Sequence, residues 1–469
     1  MSRSIEAPGT VYALRIRGGL SCLVVALAFA PGPGTPEGAG PGPSFAGVEC
    51  TATVNGRTPQ AIEDAVADAA PGDVVCIRPG VYDSGAVEIR TSGKPDAPIE
   101  VRAVGRVVLR NVRIDAKHVR FVGFEIAPPP GEMAGDELTP GISLRGTGLV
   151  VSRNFVHDTA GDGIACVQRS PSCVEAVISR NTVRRPDGTG IVVLGRDDRV
   201  VRNDISESVR IRASDADGIR FFGSGHVIRS NRVHDISDDG YAADAPHTDC
   251  FQTFDNGKPP TSDVLIDGNI CDNVDHQCLI ATAERSAELG VIGRSHSLQF
   301  TNNVCRNLGA QGVLVEQFPD VLVAFNAFAD TIRFRAAAFL HGSSEGAFLN
   351  NIVDGSYLAY ELDDSSAPGW AVEGNLRALG SPGVLPTESG VEPVDLLFAA
   401  PPDAPVEERY KPGPGSRVID AGIGVPGIER DLAGTRRPLD GLGTGAAHPD
   451  VGPYEYRRDH LEGLQQKKR

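Results

Sequence analysis

One short segment of this chain concentrates side chains that can exchange protons or bind cations. Between residues 238 and 258 the sequence carries His247, Asp249, Gln252 and Lys258. An imidazole or an amine can act as a general base, and a carboxylate can bind a hard cation such as Ca²⁺. Amide and guanidinium donors stabilise negative charge that develops on a reacting group. These residue types predict a site for proton abstraction.

A repeated strand signature surrounds this segment and must position it. From residue 150 to residue 380 an Asn follows a short apolar stretch once per unit, at Asn154, Asn181, Asn203, Asn231, Asn269, Asn303, Asn326 and Asn350. The successive spacings are 27, 22, 28, 38, 34, 23 and 24 residues. Units of this size with strand alternation cannot bury an apolar face alone, so they must stack on one another. The pattern predicts a solenoid of β-coils in which the Asn side chains form a structural ladder at one turn.

The two longest units, of 38 and 34 residues, flank the candidate segment. Insertions in a solenoid form loops on one face, which is often the binding face. The register within the segment is ambiguous, because Asp239 lies eight residues after an Asn, as Asp162 does in an earlier unit. The stretch from His247 to Gln252 matches the strand pattern of the neighbouring units better, and we adopt that second register.

The adopted register brings polar side chains from successive coils to one groove. Side chains alternate between the two faces of a strand, so Arg220 and Gln252 both point outward, one coil apart. Asp217 and Asp249 occupy one column beside them. The remaining polar members of the groove are Lys258, His247 and His276.

Each member of this groove has a predicted role. The candidate catalytic residues are His247, Lys258 and Arg220, any of which could be the base; the candidate substrate-binding residues are Gln252 and His276; and the candidate Ca²⁺ ligands are Asp217 and Asp249. Three alternatives stay open. The two Asp residues could cap turns through nearby backbone N–H groups, His247 could be a loop residue without a role, and Gln252 could belong to an amide ladder.

The N-terminus predicts export. Arg15 and Arg17 precede an apolar run from Leu20 to Ala30 that ends in Ala-Phe-Ala, which predicts a signal peptide over residues 1–30. The 11 residues of this run are too few to span a bilayer, which requires about 20. Residues 31–46 predict a flexible leader, because they are rich in Pro and Gly. The expected location is extracellular or periplasmic.

The number of cysteines also predicts an oxidising compartment. Eight remain once Cys22 is removed with the signal peptide, and an even number in an exported protein predicts disulfides. Cys271 and Cys305 hold equivalent positions on successive coils, as do Cys250 and Cys278. Stacked positions at strand spacing fall within disulfide range, so the repeat predicts the pairs Cys271–Cys305 and Cys250–Cys278. The pairs that remain are Cys166–Cys173 and Cys50–Cys76.

The other segments complete a predicted organisation along the chain. Residues 60–70 show helical spacing and end at Pro71, which predicts a short helix that caps the open end of the coil. The parallel β-coils are expected over residues 47–380, followed by a Pro-rich connection over 381–414, a C-terminal cap over 415–456 and a charged tail over 457–469.

Three stretches near the N-terminus carry a family resemblance. They run from Asp73 to Tyr82, from Ser92 to Arg102 and from His118 to Phe124. This succession resembles the entrance of the extracellular right-handed parallel β-helix superfamily, which includes pectate lyases, chondroitinase B-like and alginate lyases, and mannuronan C5-epimerases. The resemblance implies an all-β fold, a right-handed parallel β-helix solenoid with a short N-terminal capping helix.

The resemblance also implies a secreted enzyme that acts on a polysaccharide. The leading expectation is a lyase that cleaves a uronic-acid-containing polysaccharide by β-elimination. The alternatives are a C5-epimerase, a glycoside hydrolase or a non-catalytic carbohydrate-binding protein. β-Elimination removes a proton alpha to a carboxylate whose charge must be neutralised by a cation such as Ca²⁺ or by hydrogen-bond donors. A net charge of −16 argues against nucleic acid as a partner, and we expect a monomer without a membrane span.

Overall fold

The computed structural model describes residues 49–129, 138–167, 172–213, 215–241, 245–307, 309–329, 335–379 and 387–458. The predicted signal peptide, the leader and most of the charged tail lie outside these residues. Within them, no helix is long and apolar enough to cross a membrane. Strands dominate, because short apolar stretches alternate with polar residues and are separated by tight turns.

Successive strands wind in a right-handed coil around one axis and build three faces, each paired in parallel register with the coils before and after it. Face 1 contains Val87–Ile89, Val112–Asp115, Ile142–Thr147, Ile164–Cys166, Cys173–Val174, Ile191–Arg196, Ile219–Ser224, Phe251–Thr253, Leu279–Thr282, Val313–Glu316, Arg335–Leu340 and Leu358–Leu362. Face 2 contains Ala52–Val54, Val74–Ile77, Ile99–Ala103, Val119–Val122, Val150–Ser152, Val177–Ser179, Arg199–Val201, Val227–Arg229, Ser262–Asp267, His296–Thr301, Val321–Ala324, Ala347–Leu349 and Ala371–Glu373. Face 3 contains Gly80–Tyr82, Val107–Leu109, Glu125–Ile126, Phe155–His157, Thr182–Arg184, Asp204–Ser206, Arg232–Ile236, Ile270–Val274, Val304–Asn307, Ala327–Ala329, Ile352–Asp354, Asn375–Ala378 and Val391–Val394. Faces 1 and 2 form one continuous sheet, and face 3 forms a second.

The side chains that point into the coil stack in columns of similar residues. On face 3 one such column runs through Val156, Val183, Ile205, Val233 and Cys271, and all five are fully buried. Each of them follows a ladder Asn by two positions. Because the coils are about 4.8 Å apart, each side chain covers its neighbour, and the core continues along the axis.

The predicted Asn ladder is present at the turn between face 2 and face 3. Asn181 donates both its backbone N–H and its Nδ2 to Oδ1 of Asn203, at 3.0 Å each. The prediction was wrong in one unit, where Asn351 rather than Asn350 is the ladder member. Asn350 instead has the left-handed φ that Arg202 and its equivalents adopt just before each ladder Asn. Asn tolerates that conformation better than most residues do.

A short helix packs on the first coil, as predicted. It spans Pro59–Ala67 and begins after Thr58, whose hydroxyl accepts a hydrogen bond from the backbone N–H of Ala61. Ile62 and Val66 on its inner side are fully buried in the core. The helix therefore covers apolar surface that no earlier coil can cover. Two shorter helices span Glu284–Glu288 and Val406–Arg409.

Two of the four predicted disulfides are confirmed, Cys50–Cys76 and Cys166–Cys173. The other two predictions are wrong, because the structure contains the pairs Cys250–Cys271 and Cys278–Cys305. The predicted stacking itself is correct, since Cys271 lies opposite Cys305 on adjacent coils. These thiols point into the core from two different walls, however, and each meets the thiol across its own coil, at Cα separations of 6.1 and 5.9 Å.

The C-terminal segment lies along the side of the coil. Val418, Ile419, Val451 and Tyr454 pack in one apolar cluster with Ile352 of face 3. We call residues 415–456 the lateral strap. The segment predicted as a connection, 381–414, contains one more rung of face 3, Val391–Val394, which pairs with Asn375–Ala378.

The strap is held by a buried ionic network as well as by apolar contacts. The Arg437 guanidinium lies 2.9 Å from the Glu455 carboxylate, and both side chains are buried. It also lies 3.8 Å from the centre of the Phe325 ring, which belongs to the wall of the coil. The strap thus contacts successive coils from the outside, along face 3 and at the turn between faces 2 and 3.

Candidate active site

The candidate site lies at the turn that leads into face 1. Asp217 and Asp249 occupy equivalent positions there on adjacent coils, and both are fully buried. The backbone N–H of Asp249 donates to Oδ1 of Asp217 at 2.9 Å, and that of Gln277 donates to Oδ1 of Asp249 at 2.8 Å. This acidic column confirms the adopted register, because it continues the same turn position through three coils.

Arg220 and Gln252 lie side by side on the outer surface of face 1, as predicted. Nη2 of Arg220 is 2.5 Å from Oδ2 of Asp215 and 2.5 Å from Oδ2 of Asp217, so one guanidinium balances two carboxylates. Its Nε has no hydrogen-bond partner among the described residues. Nε2 of Gln252 donates to Oδ2 of Asp249 at 3.2 Å. The strand register therefore places the Arg220 guanidinium and the Gln252 amide in the groove, beside the acidic column.

Two imidazoles meet at one end of the groove. Nδ1 of His247 is 3.3 Å from Oδ2 of Asp249, and its ring lies 5.6 Å from the ring of His276, nearly perpendicular to it. Nε2 of His276 is 3.4 Å from Oδ2 of Asp238, which comes from the insertion. The side chain of His247 is half exposed. Both imidazoles can therefore contact a ligand in the groove.

Lys258 lies at the other end of the groove, on an aromatic floor. Its Nζ is 5.2 Å from the centre of the buried Phe222 ring, which packs edge-on against Phe254 at 5.0 Å. The Arg220 guanidinium is 5.8 Å from the centre of the Phe254 ring. Lys258, the two rings and Arg220 therefore form one continuous patch.

Burial shifts the protonation of several of these groups. Burial and the nearby Arg220 guanidinium lower the pKa of Lys258. Burial raises the pKa of Asp217 to about 7, although Arg220 opposes the shift. The hydrogen bond with Asp249 raises the pKa of His247 to about 9. The amine is thus easier to deprotonate than a free lysine, and the imidazole is easier to protonate than a free histidine.

The predicted pair of Ca²⁺ ligands does not fit a calcium site in this arrangement. Ca²⁺ requires six to eight oxygen ligands. Both oxygens of Asp217 are engaged, by the N–H of Asp249 and by Arg220. Oδ1 of Asp249 accepts the N–H of Gln277, and its Oδ2 faces the side chains of His247 and Gln252. The two carboxylates together offer at most four oxygens, which is fewer than Ca²⁺ requires, and Arg220 already neutralises one of them.

The structure brings all seven predicted site residues together, five in the groove and two buried directly beside it, and it adds two that the sequence analysis missed. Asp215 contacts Arg220 and accepts the backbone N–H of His247 at 3.2 Å, so it joins the two ends of the groove. Asp238 contacts His276. The only sequence signal for Asp215 is its position two residues before Asp217. Asp238 had no signal beyond its place in the insertion.

No curated protein sequence matches this chain. The solved structures similar to it include pectate lyase Pel9A, with a TM-score of 0.54 at 14% identity over 88% of this chain and 98% of that one. They also include a tailspike protein variant of E. coli bacteriophage HK620 in complex with a hexasaccharide, with a TM-score of 0.51 at 13% identity over 68% of this chain and 61% of that one. A GH87 α-1,3-glucanase from Streptomyces thermodiastaticus is similar at a TM-score of 0.45 and 17% identity, over 70% of each chain.

Identities this low establish the shared fold alone. The sequence model described as "Right handed beta helix region" matches residues 140–376, just over half of the chain. That range contains the Asn ladder, the acidic column and every residue of the groove. The chain belongs to the right-handed β-helix family.

Proposed function

We propose that this protein is a secreted lyase that cleaves a uronic-acid-containing polysaccharide by β-elimination, with Lys258 as the base. Arg220 and His247 would hold the substrate carboxylate, and Gln252 and His276 would hold its hydroxyl groups. The observation that carries the proposal is the environment of Lys258. A half-buried amine lies over an aromatic floor, next to a guanidinium that can bind the carboxylate.

The reaction needs a base and a cation close together. The amine of Lys258 takes the proton alpha to the carboxylate, and the electron pair of the broken C–H bond moves onto the carboxylate. That charge then returns to form the carbon–carbon double bond while the glycosidic oxygen leaves and takes a proton from water. Cations that face the carboxylate stabilise the intermediate charge. The lowered pKa of Lys258 increases the fraction of the amine that can accept the proton.

Hydrolysis fits this geometry less well. A glycoside hydrolase places two carboxyl groups on opposite sides of the scissile bond, roughly 5 to 10 Å apart. Asp217 and Asp249 instead lie on adjacent rungs of one column, joined by a backbone hydrogen bond, and both are buried. Neither side chain can reach a sugar without breaking these contacts.

A purely binding role also fits less well, because binding modules stack sugars on exposed aromatic rings. Phe222 is buried beneath Phe254 and Lys258. The hydroxyl of Tyr241 accepts the backbone N–H of Arg210 at 2.8 Å, and the Arg210 guanidinium lies over its ring. The aromatic residues near the groove thus support polar groups.

Secretion is supported by two features besides the N-terminal sequence. Four disulfides hold the coil together, and disulfides persist in oxidising compartments. The similar solved structures include a polysaccharide lyase. Export can be checked directly by N-terminal sequencing of protein recovered from the periplasm and the medium of the producing cells.

The test is an absorbance assay on four polymers. The purified protein is incubated with pectate, alginate, chondroitin or hyaluronan, and the ultraviolet absorbance of the unsaturated uronyl product is followed. A lyase gives rising absorbance on at least one polymer. New reducing ends without absorbance would indicate a hydrolase, and inversion at C5 without chain cleavage would indicate an epimerase. Unchanged polymers on all measures would overturn the proposal of an enzyme.

Two variants locate the base. Lys258→Ala should lower kcat by about 10³-fold, because a positioned general base contributes roughly 10² to 10⁴. Lys258→Arg keeps the charge but cannot accept the proton, so it should be equally inactive. Lys117→Ala is the matched control, since Lys117 is an exposed lysine on an early coil. If Lys258→Arg retained wild-type activity, Lys258 would not be the base.

A further inference from the structure

The two imidazoles at one end of the groove form a cluster that the proposed reaction does not fully explain. His247, Asp249 and His276 each offer one ligand atom, and these atoms all lie within 4.8 Å of one another. We propose that these three side chains bind a divalent transition metal ion, with Zn²⁺ as the first candidate.

The backbone fixes the three ligands on two adjacent coils. His247 and Asp249 precede Phe251–Thr253, and His276 precedes Leu279–Thr282. Phe251 lies opposite Leu279 in the parallel ladder, and the backbone N–H of Phe251 donates to the carbonyl of Cys278. Ladder hydrogen bonds continue into the turn before these strands, since the backbone N–H of Ala216 donates to the carbonyl of His247 and that of Cys250 donates to the carbonyl of Gln277. A site that rests on strands is better preorganised than one that rests on loops.

The spacing of one pair of donors matches a tetrahedral ion, and the third donor lies within 4.8 Å of both. Metal–ligand bonds of about 2.0 Å at tetrahedral angles place ligand atoms about 3.3 Å apart. Nδ1 of His247 is 3.3 Å from Oδ2 of Asp249. This is long for a charge-assisted hydrogen bond, which typically measures about 2.7 to 2.9 Å. The nearly perpendicular rings of His247 and His276 allow both to direct a nitrogen at one point.

The surrounding groups orient the ligands in the way that metal sites require. Oδ1 of Asp249 accepts the backbone N–H of Gln277 at 2.8 Å, which leaves Oδ2 facing the cluster. Oδ2 of Asp238 lies 3.4 Å from Nε2 of His276. A carboxylate on one ring nitrogen fixes the tautomer and presents the other nitrogen to a metal.

A buried oxygen beside the cluster provides a separate indication of a missing partner. Gln252 is 6% exposed, and its Oε1 has no hydrogen-bond partner among the described residues. Its Nε2 contacts the same Oδ2 of Asp249 that faces His247. A buried amide oxygen without a donor costs about 1 to 3 kcal/mol. A water bound to the metal would satisfy it, and such a water would also fill the fourth position of a three-ligand site.

The donor set selects the class of metal. Ca²⁺ and Mg²⁺ prefer oxygen ligands, whereas imidazole nitrogen favours Zn²⁺ and other late first-row ions. Two imidazoles and one carboxylate therefore indicate a different ion from the Ca²⁺ that the sequence suggested. The site lies in the same groove as Lys258, and a bound ion would replace the substrate contacts proposed above for His247 and His276. Its existence is independent of the reaction, because binding is measured without substrate.

The experiment is a titration of the chelator-treated protein with Zn²⁺ and Co²⁺ under non-reducing conditions. The disulfides must stay intact, because Cys250, Cys271 and Cys278 would themselves form a thiol site if reduced. We expect one equivalent of Zn²⁺ by calorimetry. We also expect visible absorption bands of four- or five-coordinate Co²⁺ that Zn²⁺ abolishes and Ca²⁺ does not.

Matched variants separate this site from ordinary histidine–carboxylate pairs. His247→Ala and His276→Ala should weaken Zn²⁺ binding at least 100-fold, and Asp238→Asn about 10-fold. His234→Ala is the control, because His234 contacts Asp235 and Asp204 on face 3 but belongs to no three-ligand cluster among the described residues. Its binding should equal that of the wild type. Circular dichroism confirms that each variant is folded.

Three results would overturn the proposal. They are the absence of Zn²⁺ binding by the wild type, unchanged binding by a folded His276→Ala variant, and displacement of Co²⁺ by equimolar Ca²⁺. If the variants fail to fold, proton NMR of the Co²⁺-loaded wild type decides instead. Two paramagnetically shifted imidazole rings support the site, and one or none contradicts it.

Discussion

Two columns of polar side chains run along this coil at equal spacing, and they differ in almost every other respect. The Asn ladder lies between faces 2 and 3, and each amide repeats the same two hydrogen bonds at close to 3.0 Å. The acidic column lies at the turn into face 1, where Asp217 and Asp249 are followed by Gln277. One column is neutral and uniform, and the other is charged and changes from rung to rung.

The difference shows which column of the solenoid stabilises the fold and which column can support a reactive site. An amide is both donor and acceptor, so a stack of Asn residues satisfies itself without outside partners. A carboxylate has no donor, so each rung of the acidic column needs a cation or an N–H from elsewhere. The partners of the two carboxylates are Arg220, His247 and Gln252, and these same groups face the groove.

The largest expected effect comes from breaking the neutral column. Asn231→Ala removes the oxygen that accepts the backbone N–H and Nδ2 of Asn203, and it orphans both donors in a buried turn. Unsatisfied buried donors cost about 1 to 3 kcal/mol each, so the free energy of unfolding should fall by about 4 kcal/mol. Denaturant unfolding measures this loss. Specific activity per folded molecule should be unchanged, and a selective loss of activity at full stability would contradict the structural role of the ladder.

The next largest loss of stability is expected from removing the disulfide that links the two columns. Cys278 follows the acidic column and Cys305 follows the Asn ladder, so their disulfide joins the two corners across the core. Replacing both with Ser should lower the free energy of unfolding by about 3 kcal/mol, from the entropy of a loop of 27 residues.

The control for this prediction tests the pairing itself. In a Cys278→Ser single variant, Cys305 should become the reactive thiol, while Cys250 and Cys271 stay bonded to each other. Labelling of the unreduced protein followed by peptide mass spectrometry identifies the free thiol. Labelling of Cys250 instead of Cys305 would restore the pairing that the repeat suggested.

The difference between the two columns also explains how much of the molecule could be predicted from its sequence. Repetition along the stack is visible in the sequence, so the coils, the ladder and the adjacency of Arg220 to Gln252 were predicted correctly. The disulfides that cross the core could not be predicted, because the repeat gives the coil on which each cysteine lies but not the direction in which its side chain points. Hence the stacking of Cys271 on Cys305 was correct and its bonding was wrong.

The groove was predictable only where it coincides with the repeat. Asp215 and Asp238 lie in irregular segments, and their contacts with Arg220 and His276 depend on loop paths that no periodicity encodes. The confusion of Asn350 with Asn351 has a similar origin. Both are Asn residues at one turn, and only the left-handed φ of Asn350 and its bond to the strap at Ile423 distinguish them.

A reciprocal exchange sharpens the comparison directly. Asp217→Asn makes one rung of the acidic column resemble the ladder, and the new amide oxygen still accepts the N–H of Asp249. Stability should change by less than about 1 kcal/mol, because Asp215 still neutralises Arg220. Lyase activity should fall about tenfold, since a single carboxylate then positions the guanidinium.

The opposite exchange is the control. Asn203→Asp places a carboxylate in the ladder, where Oδ1 of Asn231 and the carbonyl of Ile178 both require a donor. It should destabilise the protein by about 3 kcal/mol, because oxygen atoms would face one another in a buried turn. If both exchanges altered stability equally, the two columns would not differ in the way described.

The smallest effect is a pH dependence at a third position. Asp198 is fully buried at the turn between faces 1 and 2, where burial raises its pKa to about 7. The unfolded chain loses this proton near its ordinary pKa of 3.8, so the folded state holds the proton longer as pH rises. The free energy of unfolding therefore loses a contribution between about pH 4 and pH 7.

Asp198→Asn removes that titration while its Oδ1 still accepts the N–H of Ala176. The variant should match the wild type at pH 4 and exceed its stability at pH 7.5 by on the order of 1 kcal/mol, since a buried site relaxes when it ionises. Urea unfolding at intervals of one pH unit measures the difference. Burial lowers the pKa of the neighbouring His226, which acts with the opposite sign. His226 contacts Asp198, so the difference between the two proteins measures the titration of Asp198 together with its effect on His226. Parallel stability curves for the two proteins would show that Asp198 is ionised in the folded state at low pH, as an exposed Asp would be.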